Sequence, residues 1–99
     1  MQGDRWDVRR RLERRARALG RLFAEAATLH ALSRRETEVA RLVFAGRTNS
    51  EIAVRVGRSL SAVKTYRLRA FRKFGARSVV EFVHAVHLSG GEDLSRRSR

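Results

Sequence analysis

Three short stretches repeat one pattern: Ser33-Arg34-Arg35-Glu36, Thr48-Asn49-Ser50-Glu51 and Ser78-Val79-Val80-Glu81. In each, a hydroxyl can accept from a free amide of a helix's first turn while the glutamate reaches back to the cap residue's own amide. Such a capping box fixes where a helix starts. Ser59 adds a further N-cap without the glutamate. Gly46, Gly57, Gly75 and the Gly90-Gly91 pair supply the stops, since glycine readily takes the left-handed conformation that closes a helix. Starts and stops alternate, and they predict helices over 34–45, 49–56, 60–74 and 79–88. The chain has no proline and little strand-like alternation, so the expected fold class is all-α.

Apolar spacing divides the chain in the same way. The first of these helices presents Val39, Leu42 and Val43, the second Ile52, Ala53 and Val56, the third Val63, Ala70 and Phe74. The fourth is apolar around much of its circumference, through Val79, Val80, Phe82, Val83, Val86 and Leu88. More apolar surface than one face predicts burial against its own domain and against something else. Ahead of the four, residues 5–31 carry Val8, Leu12, Ala16, Leu19, Phe23 and Ala26 at three- or four-residue steps, a long amphipathic helix. Gly20 interrupts it, at about 1 kcal/mol relative to alanine. Its polar side is dense in arginine. Packing on the four-helix unit or a dimer seam is expected of it, ahead of a basic arm on DNA or a membrane-surface role. The division is then an N-terminal helix at 1–31, a domain at 32–89 and a polar, flexible tail at 90–99.

At 99 residues, the chain suits one small domain. Its 23 basic residues against 10 acids give a net charge of +13, which attracts nucleic acid, acidic protein or anionic membrane. The absence of cysteine excludes disulfides, thiol catalysis and thiolate metal sites. There is no run of eighteen apolar residues and no signal-peptide pattern, so a soluble intracellular protein is expected. Eight basic residues (Arg55, Arg58, Lys64, Arg67, Arg69, Arg72, Lys73 and Arg77) fall between Glu51 and Glu81 with no acid among them. Only Gly57-Arg58-Ser59 separates the second and third helices. That is the helix-turn-helix arrangement, with the later helix free to enter a DNA groove. A helical bundle with a basic surface is the plainer alternative.

The third helix can be divided by direction. Opposite its stripe of Val63, Ala70 and Phe74 lie Ser61, Thr65, Leu68 and Arg72, with Lys64 and Arg69 flanking. Groove-entering helices use their N-terminal half on base edges, so the readout candidates are Ser61, Lys64, Thr65, Leu68 and Arg69. Lys64 or Arg69 can pair with guanine, and Thr65 or Leu68 can meet a thymine methyl. Arg72, Lys73 and Arg77 come later and suit phosphate. So do Thr48 and Asn49, at the positive end of the second helix, with Arg47 beside them and Arg58 in the turn. Arg67 lies nearer the core stripe and is expected to reach a phosphate or pair with Glu36 or Glu38. His84 and His87 stand three apart, but core or interface roles are expected ahead of a metal site. No nucleophile–base–orienter set and no phosphate-cradling glycine loop is present, so neither enzymatic activity nor a cofactor is expected.

These residues resemble the LuxR-type (GerE- or NarL-type) helix-turn-helix domain of bacterial transcription regulators. The matching positions are Leu32, Arg35, Glu36, Glu38, Val39, Gly46, Asn49, Glu51, Ile52, Ala53, Ser59, Val63, Lys64 and Lys73, within about 32–88. The resemblance implies a four-helix fold, a third helix in the major groove, a fourth at a dimer contact, and double-stranded DNA as partner. On this chain the dimer contact would fall on Val79, Val80, Val83, His84, Val86 and His87. Arg58, Ala62, Tyr66, Ala70 and Phe74 depart from the family pattern. Tyr66, standing where the family has histidine, can still donate to a phosphate. The segment before the domain is too short for the family's usual sensory domain, so the chain resembles a stand-alone member. The leading expectation is a homodimeric, sequence-specific transcription regulator in the bacterial cytoplasm, associated with the nucleoid and not with a membrane. Two alternatives stand beside it: an anti-activator or adaptor that pairs with a longer LuxR-type regulator, and a sigma-region-four-like partner of RNA polymerase.

Overall fold

The structure, a computed structural model, describes residues 2–89, with side chains from residue 7 onward. The described residues form five helices and no strand: α1 (Gln2–Leu29), α2 (Arg34–Phe44), α3 (Asn49–Val56), α4 (Leu60–Phe74) and α5 (Val79–His87). Capping explains the starts. At α2 the Ser33 hydroxyl accepts from the Glu36 amide at 3.2 Å, and Glu36 Oε1 accepts from the Ser33 amide at 2.8 Å. Thr48 and Glu51 close the same reciprocal pair at α3, at 3.2 and 2.9 Å. Ser59 caps α4 through its hydroxyl alone.

The third box differs from expectation. Ser78 Oγ accepts from the Glu81 amide at 3.1 Å, but the Glu81 carboxylate takes the amide of Arg77, one residue further out, at 2.8 Å. Ser78 is more extended (φ −146°) than Ser33 or Thr48 (φ −69° and −75°), so the preceding amide is the one in reach. Gly57 and Gly75 end α3 and α4 at φ 67° and 71°, where a side chain would crowd the following carbonyl.

The predicted helix stripes meet in one core. Val39, Ile52, Val63, Phe82 and Val86 are its largest fully enclosed side chains. Phe82 is the hub: it stacks on Phe71 at 4.8 Å between centroids and meets Phe74 and Phe44 edge-on at 5.1 and 6.4 Å. Phe71 joins the buried face of α4, which the stripe of Val63, Ala70 and Phe74 alone does not include. α1 is one continuous helix through Gly20. Only its C-terminal third enters the core, where Phe23, Ala26 and Ala27 are buried and Phe23 stacks on Phe44 at 5.7 Å. It packs on α5 and α2, while α4 packs on α2, α3 and α5, so α2 and α5 separate α1 from the helix-turn-helix. From residue 7 to residue 18 every side chain of α1 is exposed.

His30 and Ala31 turn the chain from α1 into α2. Ala31 takes a left-handed φ of 55°. The His30 ring lies 4.3 Å from that of Phe74, with Nε2 2.7 Å from Ser89 Oγ.

Candidate nucleic-acid interface

Gly57 lets the chain reverse in three residues, so α3 and α4 pack on each other and on α2. That packing turns Val63, Ala70, Phe71 and Phe74 inward and leaves the opposite strip of α4 bare. Ser61, Lys64, Thr65, Leu68, Arg69 and Arg72 are all exposed. Leu68 keeps half of its surface in water. Thr65 Oγ1 donates back to the Ser61 carbonyl at 3.2 Å, which holds its methyl on a fixed side of the helix. Leu60, at the start of α4, is also exposed and stands next to Ser61. It was not among the readout candidates, because the apolar stripe alone does not say that this first-turn position lies clear of α3.

The basic residues of this region separate into two sets. Lys64, Arg69 and Arg72 make no ion pair among the described residues. Arg67 and Lys73 are turned to structural work. Arg67 Nη1 donates to Asn49 Oδ1 at 2.8 Å, and its guanidinium carbon lies 5.1 Å from the Phe71 ring centre. It therefore ties α4 to the start of α3 instead of pairing with Glu36 or Glu38. Asn49, expected at phosphate, spends its side-chain oxygen on this bond; its place in the first turn of α3 is unchanged.

Lys73, expected at phosphate, is paired within the protein while keeping 40% of its side chain exposed. Its ammonium lies 2.7 Å from Glu36 Oε1 and donates to the Ala31 carbonyl at 3.1 Å. The partner is a nearly buried carboxylate, whose desolvation would be costly without a cation beside it. Burial pushes Glu36 toward protonation, but the bonds from Lys73 and the Ser33 amide, with the Lys73 charge, outweigh it and hold the carboxyl below its usual range. Glu51 is likewise held below its usual range, first by the Thr48 amide and then by the Thr48 hydroxyl.

Around the start of α3, Arg47 and Thr48 are exposed, and Arg58 is exposed in the turn. The Thr48 hydroxyl is engaged in the cap, so its backbone position, more than its side chain, faces an incoming anion. Tyr66 is half-buried and packs against the core. Arg77 is exposed beyond the end of α4.

On α5, Val80, His84 and His87 are exposed and Val83 is half-buried, and helical spacing puts these four on one side with Val79 at its edge. Val86 lies on the opposite side with Phe82 and is fully enclosed. It belongs to the protomer's own core, which removes it from any dimer contact. His87 also approaches Phe44, at 5.8 Å between ring centres. No group of three or more metal-ligating side chains occurs among the described residues. No helix among them is long and apolar enough to cross a membrane.

The family model of the bacterial regulatory proteins of the luxR family, GerE, matches residues 30–86. The chain belongs to the LuxR family. The match covers α2 through almost all of α5 and begins at His30, two residues before the expected domain start. The LuxR-family helix-turn-helix is a DNA-binding regulatory domain and not an enzyme family, so the exposed basic strip of α4 belongs to a DNA-binding transcription regulator. No curated protein and no solved structure matches the chain.

Proposed function

We propose that the protein is a homodimeric, sequence-specific transcription regulator of the bacterial cytoplasm, with α4 in the major groove and α5 at the dimer contact. The carrying observation is the sorting of charges on α4. Arg67 and Lys73 are held by side chains of α3 and α2, whereas Lys64 and Arg69 flank an exposed strip of Ser61, Thr65 and Leu68. A merely solvated face has no reason to carry that mixture of forked donors, a methyl-bearing hydroxyl and an exposed leucine at groove-reading spacing. Arg47, Arg58, Tyr66, Arg72 and Arg77, with the amides that open α3 at Thr48 and Asn49, then grip the flanking backbone.

Two substitutions separate reading from gripping. Lys64→Ala is expected to lose discrimination at particular base pairs by about 1–3 kcal/mol. Arg72→Ala is expected to weaken binding nearly uniformly across sequences and to lower the salt slope by roughly one unit. The measurement is an unbiased selection of bound duplexes, followed by titration of the selected and scrambled sequences at fixed salt. Equal affinity for every duplex at physiological salt would sink the reading, because phosphate attraction alone produces that result.

A further inference from the structure

α1 has two unlike parts. Its C-terminal third is core, but the turns before it stand clear of the domain, and they are strongly basic. Between Asp7 and Arg21 lie seven arginines against only Asp7 and Glu13. Arg14, Arg17 and Arg21 are exposed and make no ion pair among the described residues. With Arg10 they recur at steps of four, three and four, one ribbon along the helix. The ribbon lies on the side opposite Phe23 and Ala26, the residues that dock α1 on α2 and α5. It therefore faces away from the body of the domain.

The reading strip of α4 is exposed as well, on a helix that packs on α2, α3 and α5. α1 makes no packing contact with α3 or α4. The two strips therefore stand on helices that do not touch each other. We propose that the arginine ribbon of α1 is a second nucleic-acid surface, which grips the phosphate backbone of another duplex segment and lets one protomer bridge two. The proposal rests on α4 being the reading helix.

Charge selects this occupant over a second copy of the arm. A second arm laid on the ribbon would bring like charges together along about 20 Å of helix. Arg15 also falls in line with Val8 and Leu22, so a parallel seam would set it against its own copy. A duplex offers the opposite charge at close, regular intervals along both strands and needs no matching apolar face. The exposed Val8 and Leu12 lie on the Phe23 and Ala26 side of the helix, away from the ribbon, so a duplex on the ribbon leaves them untouched.

The test uses the full chain, one duplex of the selected sequence fixed to beads and a second, fluorescent duplex in solution at about 50 mM salt, a range in which phosphate contacts are strong. Wild-type protein should retain the second duplex. The combined variant Arg14→Gln, Arg17→Gln, Arg21→Gln should bind the fixed duplex within about threefold of wild type but retain at least tenfold less of the second; the three substituted contacts would also lower the salt slope of bridging by roughly two to three. Val80→Glu, which leaves the arm intact and opposes pairing through α5, should recruit as much second duplex per protein held on the beads as wild type does. Bridging undiminished in the arginine variant overturns the proposal. So does loss of the second duplex per bead-held protein in Val80→Glu, because pairing through α5 would then account for it. If wild type holds the first duplex and recruits none, the ribbon serves something else, such as an acidic protein, and only this inference falls. If the first duplex itself fails to bind, the reading of α4 falls with it.

Discussion

Glu36 is the only charged side chain buried among the described residues, 5% exposed, and its environment carries a pH signature. Its carboxyl is held below the usual range in the folded state. The associated stability is therefore complete above the unfolded value, about 4.3, and is lost as pH falls through the lower folded value. Glu36→Gln keeps the shape and an acceptor for the Ser33 amide but leaves the Lys73 ammonium without its counter-charge. The expected cost is about 1–3 kcal/mol at pH 7, toward the lower end because Lys73 is 40% exposed. Urea midpoints from pH 7 down to pH 3 should fall less steeply for the variant than for wild type; parallel curves would mean that the pair contributes nothing. Exposure along α4 was legible in the sequence because a helix repeats its direction at fixed steps, and Ser61, Lys64, Thr65, Leu68 and Arg69 all proved exposed. The partners of Lys73 and Arg67 were not. They lie 37 and 18 residues away, and no local periodicity encodes which distant carboxylate or amide a long side chain will meet.

At the scale of elements, the helix boundaries were readable to within about a residue in the domain, because caps and glycines act through neighbouring amides and need no tertiary information. The same locality explains the exception at Ser78: spacing gives the carboxylate, but the backbone angle decides which amide it takes. Glycines make this scale testable, since two of them should answer one substitution with opposite signs. Gly20 lies inside α1 with right-handed backbone, and a Cβ added there would meet nothing within 4 Å. Gly20→Ala should stabilise by about 0.5–1 kcal/mol through lost unfolded-state freedom. Gly57 has the same open space but a φ of 67°, so Gly57→Ala should destabilise by roughly 1–2 kcal/mol. For a chain of this size the two should move Tm in opposite directions by several degrees in thermal unfolding followed by circular dichroism. A rise in both would show that the turn before α4 relaxes to suit a side chain.

The whole molecule is organised by what α5 does with its two sides. Its surplus of apolar residues predicted a second burial, and the structure divides that surplus. Phe82 and Val86 face inward, and α1 lies along part of the helix through Phe23 and Ala26, so some of it is met within the protomer. Sequence alone did not apportion this, since an amphipathic helix before a domain has the same period whether it docks at home or on a neighbour. What remains open is the side with Val80, 79% exposed, beside His84 and the half-buried Val83. A homodimer through that side would bury Val80 twice, once from each copy across a two-fold axis. Placing a charge at its centre should therefore be costly only in the pair. Val80→Glu is expected to leave the Tm of dilute protein within about 2 °C of wild type, as surface substitutions usually do. It should also weaken dimerisation at least tenfold, because two carboxylates would be desolvated at one contact. Light scattering across a concentration series reads the mass directly, and titration on a selected two-half-site duplex should lose cooperativity in parallel. A variant as dimeric as wild type would move the contact elsewhere, and α5 would then have no second side to explain.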